Sequence, residues 1–261
     1  MNFAPVLDVH TRPENPIIGD RSFGADAAVV ARLGVAYGEG LEEGGVAPCG
    51  KHYPGHGDTS LDSHVELPRV DKRRDELEAA ELVPFRAAAR AGMAALMSAH
   101  VLYPALDPHA PATLSRVVST EWLRGEIGFR GVLVSDDLEM GALRRGASSE
   151  DAHGNTGGEV PMREVAVAAV LAGCDLLLVC SRLDAQELAH DALRREIEES
   201  PAFRARCEEA YRRGLQLRQR RPPRPVTDAR ELAARIGGPA SRELEERLAQ
   251  AVARAAAKGH T

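Results

Sequence analysis

The chain has 261 residues, of which 44% are hydrophobic and 28% charged, and its formal net charge is −6. This size allows one large α/β domain or a domain plus a tail, and the acidic balance argues against nucleic acid or an anionic membrane as the main partner. No stretch is apolar for long enough to cross a membrane, and the residues after Met1 lack the features of a signal peptide, so we expect a cytoplasmic protein without a membrane partner.

Five short apolar runs, each ending in polar or charged residues, predict buried β-strands. They cover residues 3–9, 46–52, 94–100, 131–136 and 175–180. Helical patterns occur at residues 25–39, 75–91, 119–127 and 160–172, with Gly173 placed to cap the last one. Alternation at this spacing predicts parallel βαβ units, and polar residues gather where the strands end. In α/β barrels that face carries the chemistry.

After Arg182 the pattern becomes charged and helical. Residues 187–199 and 202–220 predict two helices, residues 221–225 predict a break, and residues 229–258 predict a last helix. We therefore expect a barrel-type domain over residues 1–220, then a proline-rich linker and a C-terminal helix over 221–261. The arginines of residues 212–224 lie among glutamates and lack an aromatic platform, so a solvated helix and linker is a better interpretation than a nucleic-acid patch.

Residues 51–64 concentrate groups that do chemistry: three histidines, two aspartates and a lysine, with two glycines among them. Pro54, Gly55 and Gly57 predict a long loop rather than a regular element. Within it, Asp62 lies two positions before His64, and an aspartate that holds one ring nitrogen fixes the tautomer and raises the basicity of the other. An Asp-x-His pair is common, so this signal is weak by itself.

Asp136 follows the apolar run of residues 131–135, which aims its carboxylate at the expected mouth of the sheet. The alternative is that Asp136 or Asp137 caps the next helix. We favour a division of roles, in which Asp137 or Ser135 caps or orients and Asp136 faces a ligand. His100 ends another strand, where a satisfied structural histidine is more common than a catalyst.

A metal site is the less favoured interpretation of the histidines. His52, His56, Asp58 and His64 are ligand types, but the chain has no His-Glu-x-x-His or Cys-x-x-Cys pattern, and Lys51 would repel a cation. We expect no metal and no cofactor. The cysteines have no paired spacing either, so we expect reduced, mostly buried thiols. They are Cys49, Cys174, Cys180 and Cys207.

Six segments in order resemble bacterial β-N-acetylglucosaminidases of glycoside hydrolase family 3, which remove N-acetylglucosamine from cell-wall muropeptides. The segments are residues 2–9, 18–23, 51–64, 98–107, 135–140 and 172–180. The resemblance implies a (β/α)8 TIM-type barrel with a helical C-terminal extension. It also implies a retaining exo-glycosidase acting on a small carbohydrate substrate in peptidoglycan turnover.

The resemblance also implies roles for individual residues. The aspartate of the Ser-Asp-Asp motif, Asp136, is the nucleophile, and His64 is the acid/base, assisted by Asp62. An imidazole in this role departs from the usual carboxylate pair of retaining glycosidases. Three residues match positions that bind sugar hydroxyls. They are Arg21, Lys51 and His52.

One part of the family pattern is missing. The family carries two strands and a Val-Asp-Gln-Glu-Gly-Gly-like segment before the strand that starts here at Asn2. We therefore expect a barrel that is incomplete at its N-terminus, with an open edge, and a chain that is poorly soluble or nearly inactive alone. Two alternatives stay open: a phosphorylase, because an imidazole does not repel phosphate as a carboxylate would, and an inactive fragment with weak sugar binding.

Overall fold

The computed structural model describes residues 1–15, 17–59, 67–144, 160–222, 228–230, 232 and 236–258. The chain divides into two compact units, Met1–Arg221 and Pro222–Thr261. The first unit holds a parallel sheet in the order β1-β2-β3-β4, with strands Cys49–Tyr53, Ala95–Ser98, Val132–Asp137 and Leu176–Leu178. The predicted α/β class with a parallel sheet is confirmed. The described residues form a four-stranded sheet and do not close it into a barrel.

Helices connect and cover these strands. In chain order they are α1 Ala27–Glu43, α2 Arg74–Ala79, α3 Leu82–Arg90, α4 Gly141–Arg144, α5 Met162–Ala172, α6 Leu183–Glu199 and α7 Pro201–Arg220, and the second unit contributes α8 Pro239–Lys258. Two short 3-10 helices span Gly19–Arg21 and Ala112–Leu114. The predicted cap at Gly173 is present, with a φ of 133° that glycine tolerates at the end of α5.

The core lies on both faces of the sheet. One face packs under the helices and includes Leu96 and Leu133. The other face of the same strands buries a smaller cluster with Met97, Val132 and Val134. Burial on both faces is what a parallel sheet requires, and it explains why these runs are continuously apolar rather than alternating.

The first predicted strand is wrong as a regular element. Residues 2–9 make two isolated parallel bridges, one between Asn2 and Pro48, just before β1, and one between Val6 and Lys51 of β1. Pro5 interrupts the ladder because it has no N–H to donate. The segment still runs alongside β1, and the Leu7 N–H donates to the Lys51 carbonyl at 2.6 Å.

The helix predicted over residues 75–91 is broken into α2 and α3. Ala80, between them, has φ −127° and ψ −75°, outside the helical region. The cause is Pro84, whose ring in a continuous helix would clash with the carbonyl of Ala80, four residues earlier. The break directs Glu81 into the interior, where the residue is fully buried.

Two further helices differ from the sequence prediction. Residues 119–127 belong to a π-helical segment, Val117–Glu126, and the Ile127 N–H donates to Trp122, five residues back. The helix predicted over residues 229–258 is interrupted: residues 229, 230 and 232 are helical, and α8 begins at Pro239, after Gly237 with a φ of 64°. Proline at the start of a helix is favoured because its missing N–H would be unpaired there.

Two further expectations, about membrane spans and about the cysteines, can be compared with the described residues. None of their helices has both the length and the apolar character needed to span a bilayer. All four cysteines are free, with Cys49 and Cys174 buried, Cys207 half-buried and Cys180 exposed. The expectation of mostly buried thiols therefore holds for two of them, and Cys180 departs from it.

Candidate active site

The carboxyl edge of the sheet collects polar side chains from several elements. β1 ends with His52 and Tyr53, the turn after β2 begins with His100, and β3 ends with Asp136. Asp8 reaches the same edge from the segment that runs beside β1. Because the strands are parallel, their carboxyl ends meet at one place, and residues far apart in sequence form one cluster.

Asp8 is the buried centre of this cluster. Its carboxylate accepts hydrogen bonds from the backbone N–H of His52 at 3.1 Å and 3.2 Å and from that of His56 at 2.6 Å. It also pairs with Nδ1 of the His52 ring at 2.7 Å. Burial alone would raise the pKa of Asp8, but the interactions with His52 and His56 hold it below the usual value. Asp8 is therefore ionised near neutral pH.

The contact with Asp8 fixes the state of the His52 ring. An ionised carboxylate only accepts, so Nδ1 of His52 carries the proton and Nε2 is left for another partner. Lys51, one residue earlier in β1, is half-buried, and no described residue makes an ion pair or hydrogen bond with its ammonium group. β1 thus presents two groups suited to binding hydroxyls.

The turn after β1 is held closely against the segment of Asp8. A Cβ atom on Gly57 would lie 1.8 Å from the carbonyl oxygen of Val9, so only glycine fits. The Asn15 amide donates to the His56 carbonyl at 2.8 Å and to the Thr59 hydroxyl at 3.2 Å. These contacts fix the backbone up to Thr59, the last described residue before the gap at 60–66.

His56 is a buried neutral histidine. Its pKa is lowered to about 4, mainly by burial and also by the neighbouring His52, against the opposing effects of Asp8 and Asp136. Its Nδ1 lies 2.7 Å from the Thr59 hydroxyl, and its ring meets that of His52 edge to face at 5.8 Å. His56 therefore supports the turn.

Asp136 is half-buried at the end of β3. One carboxylate oxygen accepts the Asp137 N–H at 2.9 Å, and no described residue donates to the other oxygen. Asp137 instead accepts from the N–H groups of Glu139 and Cys180, at 3.1 Å and 3.3 Å. The Ser135 hydroxyl accepts the Leu178 N–H at 3.0 Å. The neighbours of Asp136 thus join β3 to the chain around β4, while Asp136 keeps an oxygen for a ligand.

His100 is fully satisfied. Nε2 donates to the Asp137 carbonyl at 3.0 Å, and Nδ1 lies 2.8 Å from the Thr113 hydroxyl. Burial lowers the pKa of His100, so the ring is neutral near pH 7. The Thr113 hydroxyl also donates to the Ala99 carbonyl at 3.0 Å and lies 2.9 Å from the Ser98 hydroxyl. This geometry agrees with a structural histidine beside the site.

The structure places the predicted site residues in three groups. Asp136, Lys51 and His52 lie at the carboxyl edge. Arg21 is exposed on its 3-10 helix, and its guanidinium donates to the Ile17 carbonyl at 3.1 Å and 2.5 Å rather than to any of these three residues. The remaining two predicted residues lie outside the described residues. They are Asp62 and His64.

Sequence reasoning missed the role of Asp8. The residue was visible as a polar end to an apolar run, but its pairing with His52, 44 positions later, has no local signal. In the described ranges no three histidine, cysteine or carboxylate residues are grouped to hold a metal ion. His64, one of the ligand types considered, is outside those ranges.

Comparisons with known proteins agree on one family. The model of the glycosyl hydrolase family 3 N terminal domain matches residues 1–217. A beta-hexosaminidase of Neisseria meningitidis serogroup C is 44% identical over 206 residues, 79% of this chain and 52% of that protein. The chain therefore spans about half the length of the curated relatives it matches.

Two solved structures support the same assignment. A glycoside hydrolase family 3 beta-N-acetylglucosaminidase from Paenibacillus sp. str. FPU-7 is 44% identical, with a TM-score of 0.77 over 88% of this chain and 42% of that chain. NagZ from Neisseria gonorrhoeae, solved in complex with N-trifluoroacetyl-D-glucosamine, is 38% identical, with a TM-score of 0.60 over 80% of this chain and 62% of that chain.

Proposed function

The chain belongs to glycosyl hydrolase family 3, and from this membership we propose that it is the catalytic domain of a retaining exo-β-N-acetylglucosaminidase. Its substrate is terminal β-N-acetylglucosamine on peptidoglycan fragments, and it works in the cytoplasm without a cofactor. Residues 1–220 are the barrel-type domain and 221–261 the linker and helix. Support comes from relatives named beta-hexosaminidase and beta-N-acetylglucosaminidase and from the geometry of Asp136.

The position of Asp136 carries the proposal. A carboxylate at the carboxyl end of a central parallel strand, with one oxygen held by the next N–H and the other without a described donor, is arranged to attack a substrate. In the proposed first step Asp136 attacks the anomeric carbon as the glycosidic bond breaks, and a covalent glycosyl-enzyme forms.

His64 supplies the proton that this step needs. The protonated imidazole donates to the leaving oxygen, and the neutral imidazole then takes a proton from the water that hydrolyses the intermediate. Asp62 orients the ring and raises its basicity. The described residues on either side, Thr59 and Leu67, flank the segment that carries this pair.

Sugar hydroxyls are bound mainly by β1. Lys51 offers an ammonium group without a described partner, and His52 offers Nε2 because Asp8 holds its other ring nitrogen. Arg21 is the third binding residue in this proposal, and it would have to release the Ile17 carbonyl to reach a ligand. Asp8 belongs with this set as the group that orients His52.

The experiment follows hydrolysis of an aryl β-N-acetylglucosaminide by the chain alone and by the chain with a family-type segment fused before Met1. We expect the first sugar product to keep the β configuration in NMR spectra. His64→Ala should accumulate a glycosylated protein, seen by intact mass spectrometry with an activated aryl substrate, because that leaving group needs little protonation. An inverted product, or a 1-phosphate sugar as the main product in phosphate buffer, would contradict hydrolysis by retention.

A further inference from the structure

The break between α2 and α3 buries a carboxylate beside the site. Glu81 is fully buried, and one of its oxygens forms an ion pair with the Lys72 ammonium group. The other oxygen has no hydrogen-bond partner among the described residues. Nothing else in this part of the chain neutralises the buried charge, so Lys72 is held at Glu81.

Lys72 also reaches two residues on the other side of the undescribed segment. Its ammonium lies 3.6 Å from Oδ2 of Asp58 and donates to the Thr11 hydroxyl at 3.3 Å. Thr11 in turn donates to Oδ1 of Asp58 at 3.1 Å. Asp58 precedes residues 60–66 and Lys72 follows them, so this contact joins the two chain ends that flank the segment.

Each of the two ends also has its own anchor. Thr59 is held from the N-terminal side by Asn15. On the return side, the Pro68 carbonyl accepts the Leu102 N–H at 2.9 Å, and the Val70 N–H donates to the Leu102 carbonyl at 3.0 Å. Two side chains tie one anchored end to the other: Lys72, which contacts Asp58, and Tyr103, whose hydroxyl donates to the Gly55 carbonyl.

We propose that Lys72, held by the buried Glu81, is a positioning residue that fixes the two ends of the segment carrying Asp62 and His64. The inference rests on the proposed role of His64 as the acid/base. The contacts of Lys72 exist whether or not His64 has that role. Proton transfer needs donor and acceptor within hydrogen-bond distance, and a displacement of about 1 Å can cost about a hundredfold in rate. Sugar binding at Lys51 and His52 does not depend on this link.

The test uses variants that cut the link in two ways. Asp58→Ala removes the contact with the far end, together with the contacts of Asp58 with Thr11 and Arg12, and leaves the Lys72–Glu81 pair intact. Lys72→Met combined with Glu81→Gln removes the link without leaving a buried charge unpaired. Lys72→Arg retains a cation and should restore the link. The matched control is Arg69→Met, because Arg69 lies on the same return stretch but pairs with Asp71 at an exposed site.

Hydrogen exchange measures the link directly. We expect faster exchange at residues 56–59 and 67–71 in both link-cutting variants, and unchanged exchange in Lys72→Arg and Arg69→Met. In turnover assays kcat on a poor leaving group should fall about ten- to a hundredfold, with KM nearly unchanged and a smaller loss on an activated aryl substrate.

Equal exchange in all the proteins would overturn the proposal, as would an effect of Arg69→Met as large as that of the link-cutting variants. A loss confined to KM would overturn it too, because it would place Lys72 in sugar binding. If neither the chain alone nor the chain with the added family-type segment turns over substrate, the proposed function fails, while the exchange comparison still decides whether the link exists.

Discussion

The two edges of the sheet each bury one carboxylate and surround it with different chemistry. At the carboxyl edge, Asp8 is held by backbone N–H groups and by the ring of His52. At the amino edge, Asp175 lies between three arginines that pair with it at 2.6 Å, 2.8 Å and 3.0 Å. They are Arg124, Arg206 and Arg213.

Both carboxylate oxygens of Asp175 accept two hydrogen bonds each. Oδ2 of Asp175 accepts from Arg124 and from the Leu133 N–H, and Oδ1 accepts from the other two guanidinium groups. Even with burial, which lowers the pKa of Arg124 to about 10, this guanidinium stays charged at neutral pH. The cluster joins α7 and the π-helical segment to the sheet.

The carboxyl edge is arranged in the opposite way. Its polar residues pair with imidazole rings and hydroxyl groups, whose protons can move. Lys51 keeps its ammonium group, and Asp136 keeps one carboxylate oxygen, without a partner among the described residues. The comparison indicates that burial of a charge does not identify a functional site. The carboxyl edge differs from the amino edge in two ways: its buried carboxylate has a titratable partner, and nearby polar groups remain available to bind a ligand.

Of these substitutions, Asp136→Ala should produce the largest effect, and the effect should be on activity rather than on stability. Loss of the nucleophile should lower kcat/KM by about four orders of magnitude or more in whichever form of the protein hydrolyses the aryl substrate. The free energy of unfolding in urea should change little, because Asp136 is half-buried and contacts mainly its own neighbour. More than about a tenth of the activity remaining would place the nucleophile elsewhere.

Asp175→Ala should show the reverse pattern at the amino edge. Removing the carboxylate leaves three guanidinium groups, each at most 21% exposed, without their shared partner. We expect a loss of about 3–5 kcal/mol in the free energy of unfolding, measured by urea denaturation. The control is Asp184→Ala, which removes an exposed ion pair with Arg182 and should change stability little. Equal effects of the two substitutions would contradict the comparison.

A smaller effect should appear in the pH dependence of stability. His56 has a pKa of about 4 in the folded protein, below the 6.5 of a free histidine, so the unfolded chain binds the proton first as pH falls. Stability from this group is complete above about pH 6.5 and is lost toward pH 4, by about 3 kcal/mol. Burial also lowers the pKa of His100, which adds to the slope in the same direction.

His56→Gln should flatten that slope. The measurement is urea denaturation at intervals between pH 4.5 and 7.5, and the control is His190→Gln, which removes an exposed histidine. A slope unchanged by His56→Gln would show that folding does not lower the pKa of His56.

Much of this arrangement could be predicted from local pattern. The apolar runs around β2, β3 and β4 indicated the parallel sheet, and the end of the third run placed Asp136 at its carboxyl edge. The break at Ala80 could also have been predicted, since Pro84 is in the sequence and its clash four residues back is a local effect.

Long-range contacts could not be predicted in this way. Asp8 meets His52 only after the chain has folded, and the same holds for the contact of Lys72 with Asp58. The cis peptide bond between Lys51 and His52 has no sequence signal, because such bonds are rare before any residue other than proline. For Arg21, a sequence match predicted a role in sugar binding, but the match does not indicate that the side chain donates to the Ile17 carbonyl.

The contact of Gly57 with Val9 also limits how this domain can be recombined with its relatives. The two backbones approach so closely that a Cβ atom on residue 57 would lie 1.8 Å from the Val9 oxygen. A chimera with a crossover between these positions would take Val9 from one parent and Gly57 from the other. The two backbones would then meet at their closest approach without having evolved together. A crossover placed after Thr59 would keep Val9 and Gly57 from the same parent and would exchange the following segment as one unit.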